Sequence, residues 1–329
     1  GKALGGRTKP RRLKVSESHE VLLHEEGDKL VDEEKIVREA VEIGRRANVP
    51  VHISHLKGQS PDQVEEVLEY IDKTARHEVE FSFDVYPYQP GSTMLNYLLP
   101  SEIWDQGPLA VLGRLNDPVM RQRFADGLEA QRVPVDKLHV AWTLSEENSH
   151  LQGKTLAEVI EESGRSPADA LLDLLIEERL ATLLVFDEGD DRLVEPMLQH
   201  DLFMMGTDGI YMPEGPVHPR VYGSVGRFLG SIVREKQLLS LEQAVHRMSG
   251  FSAKKFGLLD RGELVEGKAA DIVIFDEATV TDPATFEDPR QLTTGFETVI
   301  VNGVPVLENA SPAEFQMPPG QFLKRGDKS

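Results

Sequence analysis

The chain has 329 residues, 40% of them hydrophobic and 28% charged, which is soluble globular composition and length enough for two domains or one barrel-sized domain with an appendage. Acidic side chains outnumber basic ones by 56 to 36, and the resulting net charge of −20 repels phosphate backbones and excludes general nucleic-acid binding from the expected functions. No apolar run approaches the roughly 18 residues of a membrane span, and no apolar stretch follows the basic N-terminus as a secretory signal requires, so a cytoplasmic protein without a membrane partner is expected.

Cysteine is absent, which removes disulfides, thiolate zinc sites and thiol nucleophiles together. Any metal must be held by His, Asp, Glu or a modified Lys, and ten His are available. Residues 1–14 stand apart from the acidic remainder: Lys2, Arg7, Lys9, Arg11, Arg12 and Lys14 occur there without a single acid. That stretch reads as a nucleic-acid arm or as a disordered leader, and the leader is the expectation here.

In chain order, residues 31–47 carry Ile36, Ala40, Ile43 and Ala47 on one stripe and predict an amphipathic helix that Asn48-Val49-Pro50 ends. Val51 to His55 alternates like a short strand, with Val51, Ile53 and His55 on one face. Residues 61–76 predict a second helix with Pro61 in its first turn, and Val79 to Tyr86 the next strand. Helix and strand alternating on short links is the rhythm of a parallel sheet or barrel. From about 92 to 195 the rhythm loosens into helices at 117–129, 154–163 and 166–181 and strand-like runs at 140–144 and 181–186, an insertion or lid between two barrel strands. Leu202 to Gly209 reads as a buried strand stopping at an acid, and Ser240-Leu241-Glu242-Gln243 as a capping box. Beyond Phe256 the pattern turns to short strands at 270–276 and 299–307, the latter a hairpin on Asn302-Gly303.

Several positions carry possible chemistry. His55 closes a strand-like run with Lys57 just beyond it; a His at a barrel strand's C-terminal end is a metal ligand or a hydrogen-bonding cap. Asp208, between glycines at the end of an apolar run, is either a carboxylate that binds metal and accepts a proton from water or the side chain of an Asx turn. Tyr86-Pro87-Tyr88 sets two rigid tyrosines at another strand end, suited to a substrate oxygen or to packing under a loop. Arg220, in a Pro- and Gly-rich stretch with His218, is a bidentate carboxylate binder or a surface charge. Nucleotide-binding glycine loops and the Gly-x-Ser-x-Gly elbow are absent.

Taken together, Pro50 to Lys57 (PVHISHLK), Asp84 to Thr93 (DVYPYQPGST), Met205 to Gly209 (MGTDG), His218 to Arg220 (HPR), Met248 to Gly257 (MSGFSAKKFG) and Arg261 to Asp276 with Val301-Asn302-Gly303 resemble the amidohydrolase superfamily, and within it the N-acyl-D-amino-acid deacylases or D-aminoacylases. Each motif alone is weak; their shared order from about residue 20 to about 310 is specific. The resemblance implies an α/β fold, the C-terminal part of a metal-dependent (β/α)₈ TIM-type barrel with a small β-sandwich module. The expected parts are a leader at 1–19, a barrel portion at 20–258 with a lid at about 92–195, a β module at 259–310 and a tail at 311–329.

By motif, His55 matches the zinc-binding His of the sixth barrel strand and Asp208 the general base and acid of the eighth, itself a metal ligand. Lys57, Tyr88 and Arg220 match the contacts to the substrate carboxylate and scissile carbonyl. The family's His-x-His pair and bridging Cys do not occur, which together with the lack of cysteine predicts an N-terminal truncation. In the fifth-strand motif Leu22 takes the ligand place, and His24, on the same strand face, is the expected stand-in.

The implied function is hydrolysis of N-acyl-D-amino acids by a zinc-activated water, with Zn²⁺ on His55, His24 and Asp208. A hydantoinase-like or dihydroorotase-like cyclic-amide hydrolase is one alternative, and a non-catalytic remnant of the family is another. A barrel short of strands and with an uncertain third ligand is expected to self-associate or be marginally stable, to bind zinc weakly and to show little or no turnover. Strand ends that share a face should bring His55 and Asp208 within about 7 Å.

Overall fold

The computed structural model describes residues 33–130, 133–324 and 326. The leader and His24 lie outside the described residues.

The first layer is a parallel sheet. Helix α1 (Glu33–Ala47) buries Val37 and Val41 and leads into β1 (Val51–Ile53). Helix α2 (Pro61–Tyr70) starts from Ser60, whose side chain accepts the Gln63 N–H; a π turn over Ile71–Ala75 and a short α3 (Arg76–Glu78) complete it. Strand β2 (Phe81–Val85) then pairs parallel with β1. The helix between them is what a parallel pair needs, since its strands must be joined by a crossover.

The chain next leaves the sheet. It forms β3 (Ser92–Met94), α4 (Pro108–Arg114), α5 (Pro118–Ala130), β4 (Leu138–Trp142), α6 (Leu156–Ser163), α7 (Pro167–Glu177) and β5 (Leu183–Phe186). Strands β3 and β4 flank β5 in an antiparallel sheet. This excursion has its own core, with Leu95, Phe124, Leu138, Val140, Leu171, Leu175 and Leu184 buried. Helix α8 (Glu195–Gln199) brings the chain back, and β6 (Phe203–Met205) pairs directly with β2. Two strands that are neighbours in space are therefore separated in sequence by a complete second layer.

After β6 come α9 (Arg220–Arg227), widened into a π turn over Phe228–Glu235, then α10 (Leu241–Met248) and α11 (Gly250–Phe256). The capping box at Ser240 and Gln243 is present. Phe81, Phe83, Phe203 and Phe228 join α1 and α2 in the core of this layer.

The third layer is an antiparallel meander of β7 (Ile272–Phe275), β8 (Phe296–Val301), β9 (Val304–Glu308) and β10 (Ser311–Pro312), with β7 at one edge. Asn302 at φ 48° and Gly303 at φ 79° make the turn, both left-handed as a type I′ hairpin demands. Among the described residues no helix is long and apolar enough to cross a membrane.

Two features differ from the sequence expectation. Arg220, placed with His218 in a Pro- and Gly-rich loop by the sequence, instead opens a helix that runs to Glu235. Glycine weakens an isolated helix, but here Gly223, Gly226 and Gly230 form a groove. A Cβ on each would stand 2.1 Å from Asp282, 2.6 Å from Thr293 and 2.7 Å from the Val280 carbonyl respectively. The C-terminal segment packs against bare helix backbone, and tertiary contact overrides propensity. Secondly, β1 stops at Ile53, so His55 sits in a turn rather than on the strand.

Candidate active site

The site forms at the C-terminal ends of β1, β2 and β6. Asp84, near the end of β2, organises it. Its Oδ1 accepts the backbone N–H of His55 at 3.0 Å and the hydroxyl of Ser54 at 3.2 Å, and its Oδ2 lies 2.8 Å from His52 Nε2. Burial would raise the Asp84 carboxyl, but these bonds outweigh it and hold it below the usual carboxylate range. The turn so anchored places His55 at φ +63°. Gly206 fits against the same carboxylate, where a Cβ would come 2.8 Å from Asp84 Oδ1. That close approach lets the loop after β6 pass over Asp84 and present Asp208, at φ +45°. Left-handed backbone costs a non-glycine residue about 1–3 kcal/mol, a cost that recurs where side-chain placement matters for function.

His55 and Asp208 converge: Nε2 and Oδ2 are 3.6 Å apart, inside the 7 Å expected from the sequence. Arg220, the first residue of α9 and almost fully buried, sets its Nη2 2.8 Å from the same Asp208 oxygen and donates to the Ser92 carbonyl at 3.3 Å. His218 positions that helix start. Its Nδ1 accepts the Arg220 N–H at 2.9 Å, which assigns the proton to Nε2, 3.0 Å from the Pro90 carbonyl.

Tyr86 lies at the centre of the group. Its hydroxyl is 2.7 Å from His55 Nε2, while Lys57 Nζ stands 3.7 Å and the Arg220 guanidinium 4.4 Å from its ring centroid. Lys57 is buried and donates to the Gln89 carbonyl at 2.9 Å. A cavity of about 330 Å³ opens beside it, lined in part by Gln59, Phe186, Gly189 and Leu193.

The structure thus gathers four of the six predicted residues, His55, Lys57, Asp208 and Arg220, around Tyr86. Tyr88 is buried beside His218, with its hydroxyl turned toward Asp282. His24 falls outside the described residues. Sequence reasoning missed the Tyr86 hydroxyl as the partner of His55; the period-2 spacing of Asp84 and Tyr86 in the strand-like run from Val79 to Tyr86 was the available signal.

The His55–Asp208 pair has the spacing of two ligands on one metal, although the same Asp208 oxygen also meets Arg220 Nη2 and the same His55 nitrogen meets the Tyr86 hydroxyl. Two ligands at about 2.1 Å from a tetrahedral zinc are about 3.4 Å apart, close to the 3.6 Å seen. Elsewhere among the described residues Asp72, His200 and Asp201 could surround an ion, but Arg76 already bonds Asp72 at 2.7 Å and Asp201 at 2.5 Å. That cluster is at the opposite end of the strands.

A family model described as the amidohydrolase family matches residues 132–307. The chain is 35% identical over 290 residues to a D-aminoacylase of Alcaligenes xylosoxydans xylosoxydans, covering 87% of this chain and 51% of the relative. The crystal structure of N-acyl-D-glutamate deacylase from Bordetella bronchiseptica, complexed with zinc and a phosphonate inhibitor that mimics the tetrahedral intermediate, superposes with a TM-score of 0.64 at 30% identity, over 85% of this chain and 52% of that one. Separately, 42 residues, 13% of the chain and 10% of the relative, are 67% identical to the ATP-dependent protease ATPase subunit HslU of Rhodospirillum centenum. The chain spans about half the length of the curated deacylases it matches. With the family model matched over residues 132–307 of its 329, the chain belongs to the amidohydrolase family.

Proposed function

We propose that the chain carries the catalytic Asp and the substrate-carboxylate cations of an N-acyl-D-amino-acid deacylase. The observation that carries this reading is the cluster of His55, Asp208, Arg220 and Lys57 around Tyr86, in a chain about one-third identical to enzymes of that class. The parallel order β1-β2-β6, joined through helices, supports a segment of a (β/α)₈ barrel, whose active sites occupy the strand C-terminal ends. The excursion from β3 to β5 then serves as a lid, since Ser92 touches Arg220 and Phe186 lines the cavity beside Lys57. The meander from β7 to β10 is the β module.

Zinc, which His55 and Asp208 would hold, would supply a Lewis acid toward water and the scissile carbonyl; His24, the third ligand that the resemblance implies, lies outside the described residues. Asp208 takes a proton from the attacking water and delivers it to the amine nitrogen as the C–N bond breaks, giving a carboxylic acid and a free amino acid. Its side chain, 29% exposed, is open to both partners of that exchange. Arg220 holds the Asp208 carboxylate in place. Lys57 and Arg220 offer the positive charge that a substrate carboxylate seeks, with Tyr88 a further contact. Water is excluded around Arg220 and Lys57, where a charge-assisted bond is stronger than at the surface.

The test is hydrolysis of N-acetyl-D-amino acids by the zinc-supplemented protein. Release of acetate that Asp208→Asn and His55→Ala abolish is expected. Equal rates in the Asp208→Asn variant, or no hydrolysis by the unaltered chain, would refute the assignment.

A further inference from the structure

Tyr88 is held from three directions. Its hydroxyl donates to Asp282 Oδ2 at 2.5 Å. The Arg227 guanidinium lies 4.3 Å from its ring centroid and is itself tied to the Pro87 carbonyl at 2.7 Å and to Asp191. The His218 ring meets it nearly edge-on, with centroids 5.3 Å apart. Asp282 is equally constrained, because its Oδ1 accepts the Ala284 N–H at 2.8 Å in an Asx turn. The segment that bears it is seated in the glycine groove of α9, the helix that begins with Arg220. Backbone packing on one side and an Asx turn on the other therefore aim one carboxylate oxygen at one phenol.

We propose that Asp282 is a positioning residue that fixes the Tyr88 ring and the direction of its hydroxyl, so that the segment following β7 shapes the site through Tyr88. The proposal rests on reading Tyr88 as a substrate contact and extends it to a residue distant in sequence. A tyrosine ordered before binding gives up little rotamer freedom when a ligand arrives, and with its one proton given to Asp282 its hydroxyl oxygen meets a ligand N–H as an acceptor from a set direction. Burial first, and the Asp282 carboxylate second, push Tyr88 ionisation well above the ordinary tyrosine range, so the hydroxyl keeps its proton.

The deciding variant is Asp282→Asn. Its Oδ1 still accepts the Ala284 N–H, which fixes the amide orientation, and its nitrogen then faces Tyr88 and cannot accept the phenol proton. A merely structural Asp282 would be silent to this change. The Tyr88–Asp282 hydrogen bond is read as the near-ultraviolet absorption band of the phenol, each protein against its Tyr88→Phe counterpart. The band should move to shorter wavelength in Asp282→Asn while circular dichroism shows the protein still folded. Affinity for N-acetyl-D-glutamate, by calorimetric titration of the zinc-supplemented protein, should fall about tenfold in Tyr88→Phe, one hydrogen bond lost at the phenol oxygen, and should also fall in Asp282→Asn as the phenol loses its set direction. The double variant should be no weaker than Tyr88→Phe. An unshifted band, or additive losses in the double variant, overturns the proposal. If the unaltered protein binds no N-acyl amino acid, the reading of Tyr88 as a substrate contact is what fails, and the absorption band alone decides whether Asp282 holds it.

Discussion

Arg220 Nη2 and Asp208 Oδ2 are 2.8 Å apart, with the arginine side chain only 1% exposed and the carboxylate 29%. A guanidinium is taken out of water at the first residue of a helix in order to hold an acid that a loop presents. Removing the cation leaves Asp208 without its compensating charge and Tyr86 without the plane stacked on it. Arg220→Ala should therefore destabilise the fold by about 2–4 kcal/mol, somewhat below a fully buried pair because Asp208 keeps contact with water. Urea unfolding measures it, and pairing the change with Asp208→Asn should recover part of the loss. A cost under about 0.5 kcal/mol would show that the pair is energetically idle.

The 3.6 Å separation of His55 Nε2 and Asp208 Oδ2 leads to a second expectation. Zinc that binds the folded chain and not the unfolded one raises stability by about 2.7 kcal/mol when present at 100 times its Kd. Thermal unfolding with and without zinc should show a rise of several degrees, absent in His55→Ala. A rise of equal size in that variant would place the metal elsewhere.

Some of this was legible in the sequence, for identifiable reasons. Val51-His52-Ile53 and Phe81 to Val85 declare themselves as strands because apolar and polar residues alternate along them, which turns one face to the core. Asn302-Gly303 declares its hairpin because only such a pair accepts two left-handed residues in succession. His55 and Asp208 were findable because each lies within three residues of the end of such a strand. The glycine groove was not legible, since Gly223, Gly226 and Gly230 look like loop until the segment that fills them is known. Asp282 was hidden for a related reason: its partner Tyr88 is 194 positions away, and no local pattern links an acid in one module to a phenol in another.

Glu178 yields a third prediction. It is fully buried at the end of α7 and accepts the Ser145 N–H at 2.9 Å and the Asn148 amide at 2.7 Å, together with the Leu144 N–H and the Ser145 hydroxyl. Burial would raise its carboxyl, but these bonds outweigh it and hold it below the usual range. A carboxylate lowered on folding contributes stability above its unfolded pKa, and that stability is lost as pH falls through the folded value. Glu178→Ala strips the acceptor from two part-buried backbone donors, the Leu144 and Ser145 N–H groups, and should cost about 1–3 kcal/mol at neutral pH. Hydrogen exchange should show the loss in the β3-β5-β4 layer, with the parallel sheet little changed. Equal loosening of both layers would contradict the separate cores.

His200 supplies the last prediction, in the opposite chemical sense and a higher pH window. Its side chain is 7% exposed, and its ring lies against Phe83 with centroids 5.4 Å apart. Its Nδ1 accepts the Leu202 N–H at 3.1 Å, just ahead of β6. Burial pulls its pKa below 6.5; the facing carboxylates of Asp72 and Asp201 push the other way without prevailing, and Arg76 adds to the lowering. The unfolded chain thus binds a proton near pH 6.5 that the folded chain still refuses. The stability that neutral His200 contributes is present above that pH and is lost as pH falls from there toward the folded value. A proton on Nδ1 would also evict the Leu202 N–H. His200→Asn keeps an acceptor and cannot titrate, so the two proteins should be similarly stable at pH 7.5, and the unaltered protein should lose more stability on acidification to pH 5. The difference between their urea midpoints across that range isolates His200 from the carboxylates, which titrate lower. Parallel curves from pH 7.5 to pH 5 would show that His200 is not the group that responds.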